Sequence, residues 1–221
     1  MFIDAPITSL TVNPRAENEL GREVLHAFSG YPVANVGDAM DRLNLMDTGI
    51  HAQWASKQCV GPALTVMTRE GDNLAIHRAL DEAQPGDFLV INALGGTTRA
   101  VFGDLLAEIC IQAGVAGVVI DGLTRDREAI AALGLPLWAR GVSPAGPAKN
   151  GPGTVSLPIA CGGVVVNPGD IIVADGDGVA VVPMAAAEKI LGRLVKIDEF
   201  ENDLRHRIKA AGRPISASLS S

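Results

Sequence analysis

Residues 103–126 read GDLLAEICIQAGVAGVVIDGLTRD, and how this stretch folds decides the fold of the chain. The pattern predicts a helix over 103–113, with Leu105, Leu106, Ile109 and Cys110 on its apolar side. Gly114 ends that helix, because glycine adopts the left-handed C-cap conformation freely. Val115 to Ile120 is an unbroken apolar run and predicts a buried strand. Asp121-Gly122-Leu123-Thr124 then leads to Arg125-Asp126. Twenty residues separate Asp104 from that pair. A helix followed by a strand returns the chain near its start, which brings Asp104 and Arg125-Asp126 to one pocket. Two carboxylates, a guanidinium and the free N–H groups of a helix start are the parts needed to hold a divalent cation and a small carboxylate. On pattern alone, a surface ion pair with a helix cap accounts for Arg125-Asp126 equally well.

Working outward, the chain alternates apolar runs with turn chemistry. An extended arm at 1–17 leads to a helix near Glu17 to Phe28. Asn35 or Asp38 suits the N-cap of a helix through Ala39–Leu43. Val60 to Thr68 predicts a strand and Asn73 to Glu82 a helix, with Leu74, Ile76 and Leu80 as its apolar positions. Pro85-Gly86-Asp87 and Pro168-Gly169-Asp170 each precede an apolar run. They read equally as an internal repeat and as one turn type used twice. Gly95 and Gly96 form a loop before Arg99. A helix over Arg127–Ala132 and a strand over Leu135–Ala139 follow. Residues 141–153, rich in glycine and proline, predict a long loop. Strands are expected at 163–166, 171–174 and 179–182, the last two joined by the turn Asp175-Gly176-Asp177-Gly178. Met184 to Ile208 predicts a long helix, and Ser216 to Ser221 a disordered tail. The sum is a mixed α/β domain of sheet and helix layers, without a strict βαβ repeat.

Bulk properties narrow the function. The chain has 221 residues, enough for one domain over 1–221 with a sizeable core. Its net charge of -7 and lack of a basic stripe argue against direct nucleic-acid binding. No apolar run approaches a membrane span, and the first residues lack a secretion-signal pattern. Three cysteines, widely spaced in apolar surroundings, suit reduced core thiols in a cytoplasmic protein. No P-loop, GxGxxG after a strand, GxSxG or HExxH is present. The four histidines (His26, His51, His77, His206) have no ligand spacing and read as surface or core residues. Asp175 and Asp177 read as turn residues, and Asp198, Glu199 and Glu201 as a solvated acidic cluster.

Arg99-Ala100-Val101-Phe102-Gly103-Asp104, continuing through Asp121-Gly122 to Arg125-Asp126, resembles the RraA-like proteins. That family includes the regulator of ribonuclease activity A and the 4-hydroxy-4-methyl-2-oxoglutarate/4-carboxy-4-hydroxy-2-oxoadipate aldolases. The resemblance extends over Val36–Leu43, Cys59–Ala63, Pro85-Gly86-Asp87 and Asn167-Pro168-Gly169-Asp170 through Val179. It implies a layered β/β/α domain similar to the swivelling phosphohistidine domain, assembled as a homotrimer or homohexamer. It implies a class II pyruvate aldolase that uses a divalent cation, Mg²⁺ or Mn²⁺, and has an oxaloacetate decarboxylase side activity. By position, Asp126 resembles the metal ligand and Arg125 the contact to the keto oxygen of a 2-oxo acid substrate. The backbone of Gly103, Asp104, Leu105 and Leu106 resembles the carboxylate-binding loop, and Asp104 the residue that orients a water. The resemblance also implies an acid donated to a neighbouring subunit's site from the C-terminal helix, a part that suits Glu201 or Glu199. The family also implies two alternatives: a non-enzymatic regulator that binds a ribonuclease, and a lyase acting on another hydroxy acid.

Overall fold

The computed structural model describes residues 10–15, 21–54 and 57–211. The start of the arm, the expected helix start at Glu17 and the tail at Ser216–Ser221 lie outside the described residues. No helix among those described is long and apolar enough to cross a membrane.

The centre of the molecule is four parallel neighbours: β3 (Cys59–Thr68), β4 (Phe88–Asn92), β6 (Gly117–Thr124) and β7 (Leu137–Val142). Each step between them crosses over through a helix: α3 (Leu74–Leu80), α4 (Asp104–Ala113) and α5 (Arg127–Leu133). The middle of the chain is thus a run of βαβ crossovers, set within a mixed α/β domain that is not a strict βαβ repeat throughout. Strands β4 and β6 are buried along their whole length, so they read as continuous apolar runs and not as alternating ones.

Side-chain alternation along these strands builds two cores. Leu89, Ile91, Val118, Ile120, Leu137 and Ala139 face α3, α4 and α5, meeting Ile76, Leu106, Cys110 and Ile130. Phe88, Val90, Val119 and Trp138 face the other way. There they meet a second layer, the antiparallel pair β11 (Ile171–Ala174) and β12 (Val179–Val182), through Ile172, Ala174, Val179 and Val181. The long strand β3 joins the layers, since Cys59–Pro62 pair with β11 and Ala63–Met67 with β4. The outer face of β11 and β12 presents Ile171, Val173, Ala180 and Val182 to α1 (Arg22–Phe28), α2 (Val33–Ala39) and α6 (Ala187–Ala211). The expected sheet-on-sheet-on-helix layering is present, with a helical layer on each outside.

The strands at 59–68, 171–174 and 179–182, the α3 helix and the Gly114 C-cap (φ 74) follow the sequence reading. Four details differ. The helix expected through Ala39–Leu43 lies earlier, over Val33–Ala39; Asp41, Arg42 and Asn44 take left-handed φ and form a turn. Its start is capped from afar, by Asp175 Oδ2 accepting from Val33 N at 2.9 Å. On α4, Leu105 is 69% exposed and Ile109 39%, so the buried stripe is Leu106, Ala107 and Cys110. Strand β6 continues to Thr124, past its expected end at Ile120. Short strands β8 (Gly153–Val155) and β9 (Ile159–Cys161) were too brief to show a period.

The two Pro-Gly-Asp turns have one local geometry. Asp87 Oδ2 accepts from Gln84 N at 2.8 Å, and Asp170 Oδ2 from Asn167 N at 2.8 Å. The strands that follow are used differently: β4 runs parallel to β3 and β11 antiparallel to it. One turn type used twice describes them.

Candidate active site

The short strand β5 (Ala100–Phe102) pairs in parallel with the end of β6, placing Phe102 beside Thr124. Arg125 N donates to Phe102 O at 2.9 Å, and Thr124 Oγ1 donates to the same oxygen at 3.2 Å. Because parallel strands end at the same level, α4 starts at Asp104 where the chain leaves β6 for Arg125 and Asp126. Strand C-termini in α/β folds are where functional loops gather. The convergence expected from the helix–strand pattern is therefore realised.

Asp126 is the N-cap of α5 and holds a left-handed backbone (φ 55). Aspartate tolerates this conformation better than most residues, at a cost of about 1 kcal/mol. The twist turns its carboxylate back across the β5–α4 junction. Oδ2 lies 3.1 Å from Arg125 Nε and 3.5 Å from Asp104 N. Gly103 makes room for this: a Cβ there would stand 2.7 Å from Asp126 Oδ2 and 3.1 Å from Arg125 Nε. A Cβ on Gly146 would stand 2.6 Å from Arg125 Nη1. The guanidinium is thus seated between two glycines. Asp104 Oδ1 accepts from Leu105 N at 2.8 Å, so the residue covers the N–H next to its own.

Gly103, Asp104, Leu105, Leu106 and Arg125 line a cleft of about 210 Å³, with Asp126 behind Arg125. Its other wall is Asn73 and His77 of α3 with Pro147 and Lys149 of the 143–152 loop. Burial, and then the charge of Lys149, hold the His77 imidazole below its usual range, against an opposing pull from Asp81. Little in the local sequence marks this wall: His77 reads as a surface or core histidine, and Lys149 lies 72 positions from it. The one available signal was the four-residue spacing of Asn73 and His77, which puts both on one face of α3.

A divalent cation fits the donor set. Among the described residues no group of three or more His, Cys, Asp or Glu side chains gathers. The contacts of Asp126 among those residues fall on Oδ2, leaving Oδ1 open beside a cleft. One carboxylate plus waters is a common donor set for Mg²⁺. Glu201 is not in this cleft: it pairs with Arg205 at 2.5 Å along α6. Asp121, inside the diagnostic stretch, has a structural place. Its carboxylate accepts from Arg140 Nε at 2.5 Å and Gly162 N at 2.8 Å.

With this geometry the chain can be compared with known proteins. A relative in Halalkalibacterium halodurans, named "Putative 4-hydroxy-4-methyl-2-oxoglutarate aldolase", is 41% identical over 81% of this chain and 85% of its own. A relative of the same name in Ectopseudomonas mendocina is 30% identical over 70% of this chain and 96% of its own. The crystal structure of Streptomyces coelicolor RraAS2, described as an unusual member of the RNase ES inhibitor RraA protein family, superposes with a TM-score of 0.77. It is 31% identical and the match covers 85% of this chain and 99% of that one. The family model described as RraA-like, Aldolase/RraA, matches residues 33–181, so this chain belongs to the RraA-like family.

Proposed function

We propose that the chain is a divalent-cation-dependent lyase that cleaves a 4-hydroxy-2-oxo acid of the 4-hydroxy-4-methyl-2-oxoglutarate type to pyruvate and a second oxo acid. One observation carries the reading: Arg125 and the first residues of α4 line one small cleft, and the Asp126 carboxylate stands against both. The relatives' aldolase names support it.

Asp126 would hold the cation, Mg²⁺ or Mn²⁺, which supplies Lewis acidity at the 2-oxo group. The N–H groups of Gly103, Asp104, Leu105 and Leu106 receive the substrate's C1 carboxylate at a helix start, where the aligned backbone dipoles favour an anion. Asp104 Oδ1 and Asp126 Oδ2 hold two of those N–H groups in the free protein, so substrate takes over contacts that carboxylates already make. Asp104, displaced, is then free to orient a water that takes the proton of the C4 hydroxyl. Loss of that proton turns the C4–O bond into a carbonyl and breaks C3–C4, leaving the electron pair on pyruvate as its enolate. The Arg125 guanidinium stabilises the charge that develops on the C2 oxygen. Protonation at C3 completes pyruvate. Oxaloacetate decarboxylation ends in the same enolate and is proposed as a side activity. A homotrimer or homohexamer, with Glu201 reaching a neighbour's cleft, completes the reading.

The test is a coupled assay for pyruvate release with and without Mg²⁺. Asp126→Ala and Arg125→Ala should each lower kcat/KM by at least about 10²-fold. Full turnover in either variant, or no pyruvate from a panel of 4-hydroxy-2-oxo acids, refutes the reading. The latter result favours a regulator that acts by binding.

A further inference from the structure

Gly146 seats the Arg125 guanidinium, yet it lies in a short span of loop with little backbone support of its own. On one side Ala100 N donates to Ala145 O at 2.8 Å, which ties the chain to β5. On the other, Ala148 N donates to Gly71 O at 2.8 Å, which ties it to the bend before α3. Pro147, between these anchors, has no N–H to give. A glycine in such a span leaves the backbone free to shift unless something holds it.

Arg99 holds it. Among the described residues Gly146 O accepts one hydrogen bond, from Arg99 Nη1 at 3.2 Å. The route of the Arg99 side chain is set by Gly71. A Cβ on Gly71 would stand 2.8 Å from Arg99 Cδ and 3.1 Å from Arg99 Cβ, so the stem lies on bare backbone. The left-handed φ of 66 at Gly71 suits glycine as well. The stem thus rests on the residue whose carbonyl anchors Ala148, and the head reaches the carbonyl two residues earlier in the loop.

An arginine gains most from a carboxylate, which it can grip with two N–H groups. Arg99 does not use one among the described residues. Glu70, next to Gly71, accepts instead from Thr98 Oγ1 at 2.8 Å. The Arg99 guanidinium is committed to a neutral carbonyl, and that carbonyl belongs to the glycine packed against Arg125. A Cβ on Gly146 would stand 2.6 Å from Arg125 Nη1. Gly146 is therefore set between two guanidinium groups, one holding its oxygen and the other resting against its α-carbon.

We propose that Arg99 is a positioning residue for the lyase reaction: by holding Gly146 O it fixes the backbone that aims the Arg125 guanidinium. The inference rests on the aldolase reading of the cleft and adds a residue to it. Arg99 acts through Gly146 and does not touch substrate. Without its hydrogen bond, the Gly146–Pro147 peptide is untethered between Ala145 and Ala148. Arg125 then loses one side of its seat, while Asp126 Oδ2 still draws Nε from the other, 3.1 Å away. The guanidinium moves off the C2 oxygen, and the charge that develops there is less well stabilised. Binding of the C1 carboxylate at the α4 N–H groups is left in place.

The test is a double-mutant cycle read by pyruvate release. Arg99→Met keeps the stem over Gly71 and removes the donor. It should lower kcat about 10-fold with KM within about 3-fold, less than the roughly 10²-fold cost of a 1 Å misplacement because Ala145 and Ala148 stay anchored. Arg99→Lys retains a donor at the end of an apolar stem and should recover to within about 3-fold of wild type. In an Arg125→Lys background Arg99→Met should cost less than about 2-fold, because no guanidinium remains to be aimed. The melting temperature of Arg99→Met should stay within about 4 °C of wild type; a larger fall marks a structural role and overturns the proposal. Calorimetric titration with oxalate and Mg²⁺ needs no turnover, since oxalate shares the planar dianionic form of the enolate. Arg99→Met should weaken that binding about 10-fold, and leave it unchanged in the Arg125→Lys background. With wild-type pyruvate release intact, normal kcat in Arg99→Met, or an equal loss in both backgrounds, overturns this inference and leaves the aldolase reading standing. Absence of wild-type release overturns the aldolase reading; absent oxalate binding, or equal affinity across the cycle, then overturns the positioning role as well, and a coupled loss upholds it for an anion held at Arg125.

Discussion

Gly146→Ala isolates the seat of Arg125 from the rest of the fold. The backbone at Gly146 is outside the left-handed region, so alanine fits its dihedrals. The added Cβ meets one group only: Arg125 Nη1 at 2.6 Å, with Cζ at 3.6 Å. Ordinary contact begins at 3.4 Å, so the guanidinium must give way by about 0.8 Å. Retreat is limited on the far side, where Nε already lies 3.1 Å from Asp126 Oδ2. The loop is also held, since Arg99 Nη1 donates to Gly146 O at 3.2 Å. A displacement of about 1 Å at a group that stabilises the transition state costs about 10²-fold in rate. The expected result is a fall of that size in kcat for pyruvate release, with a smaller change in KM. Stability should hold or rise slightly, because replacing glycine restricts the unfolded chain by about 0.4–1 kcal/mol. The assays are pyruvate release coupled to lactate dehydrogenase, and thermal unfolding. Turnover within 2-fold of wild type refutes the reasoning, as does a loss of stability large enough to explain the lost rate. A second check uses Arg125→Lys: Gly146→Ala should cost far less in that background, since the group it displaces is gone.

Other substitutions separate support from chemistry. Gly61→Ala should destabilise by about 1–3 kcal/mol, measured by denaturant unfolding, because the new Cβ would sit 2.3 Å from Gly86 O, a backbone atom that cannot step aside. Arg15→Ala should cost about 3 kcal/mol in the same measurement, since it strands Asp87, 1% exposed, which Arg15 grips with both terminal nitrogens. His77 should add acid sensitivity. Its folded pKa is lowered, so the unfolded chain takes up the proton first. That contribution is fully present above the usual histidine range and is lost as pH falls through it toward the folded value; His77→Gln should flatten the melting temperature over that window. The thiols should resist alkylation until the protein unfolds: burial pushes Cys59 and Cys110 up to about 12 and Cys161 higher still. Rapid labelling of any of the three in the native protein, read by mass spectrometry, contradicts the burial.

Much of the layered fold was legible in the sequence because its strands are buried on both faces. Val115–Ile120 and Ile171–Val173 announce themselves as apolar runs wherever they end up. Gly114 could be assigned without a structure, since a helix C-cap at φ 74 is a local requirement. Where local rules compete, the reading failed. Asn35 and Asp38 are good caps, yet the helix starts at Val33 because a carboxylate 142 positions away, on Asp175, caps it. Leu105 and Ile109 fit an apolar stripe, yet α4 turns Leu106 and Cys110 to the sheet. The apolar run stops at Ile120, yet β6 runs on to Thr124 because β5 and β7 supply its hydrogen bonds.

The candidate site divides in the same way. Asp104, Arg125 and Asp126 belong to one helix–strand excursion, so their meeting is a property of a short stretch of chain and could be read from its length and period. The left-handed twist at Asp126 and the glycine seat around Arg125 depend on atoms from three loops, one of them the 143–152 loop. The opposite wall could not be read at all. Asn73 and Lys149 are brought together by the buried carboxylate of Asp72, which ties the start of α3 to a loop more than seventy residues on. Sequence alone showed which groups stand on one side of the cleft, because they are neighbours along the chain. Tertiary structure decided what stands opposite, because only long-range hydrogen bonds bring those residues within reach.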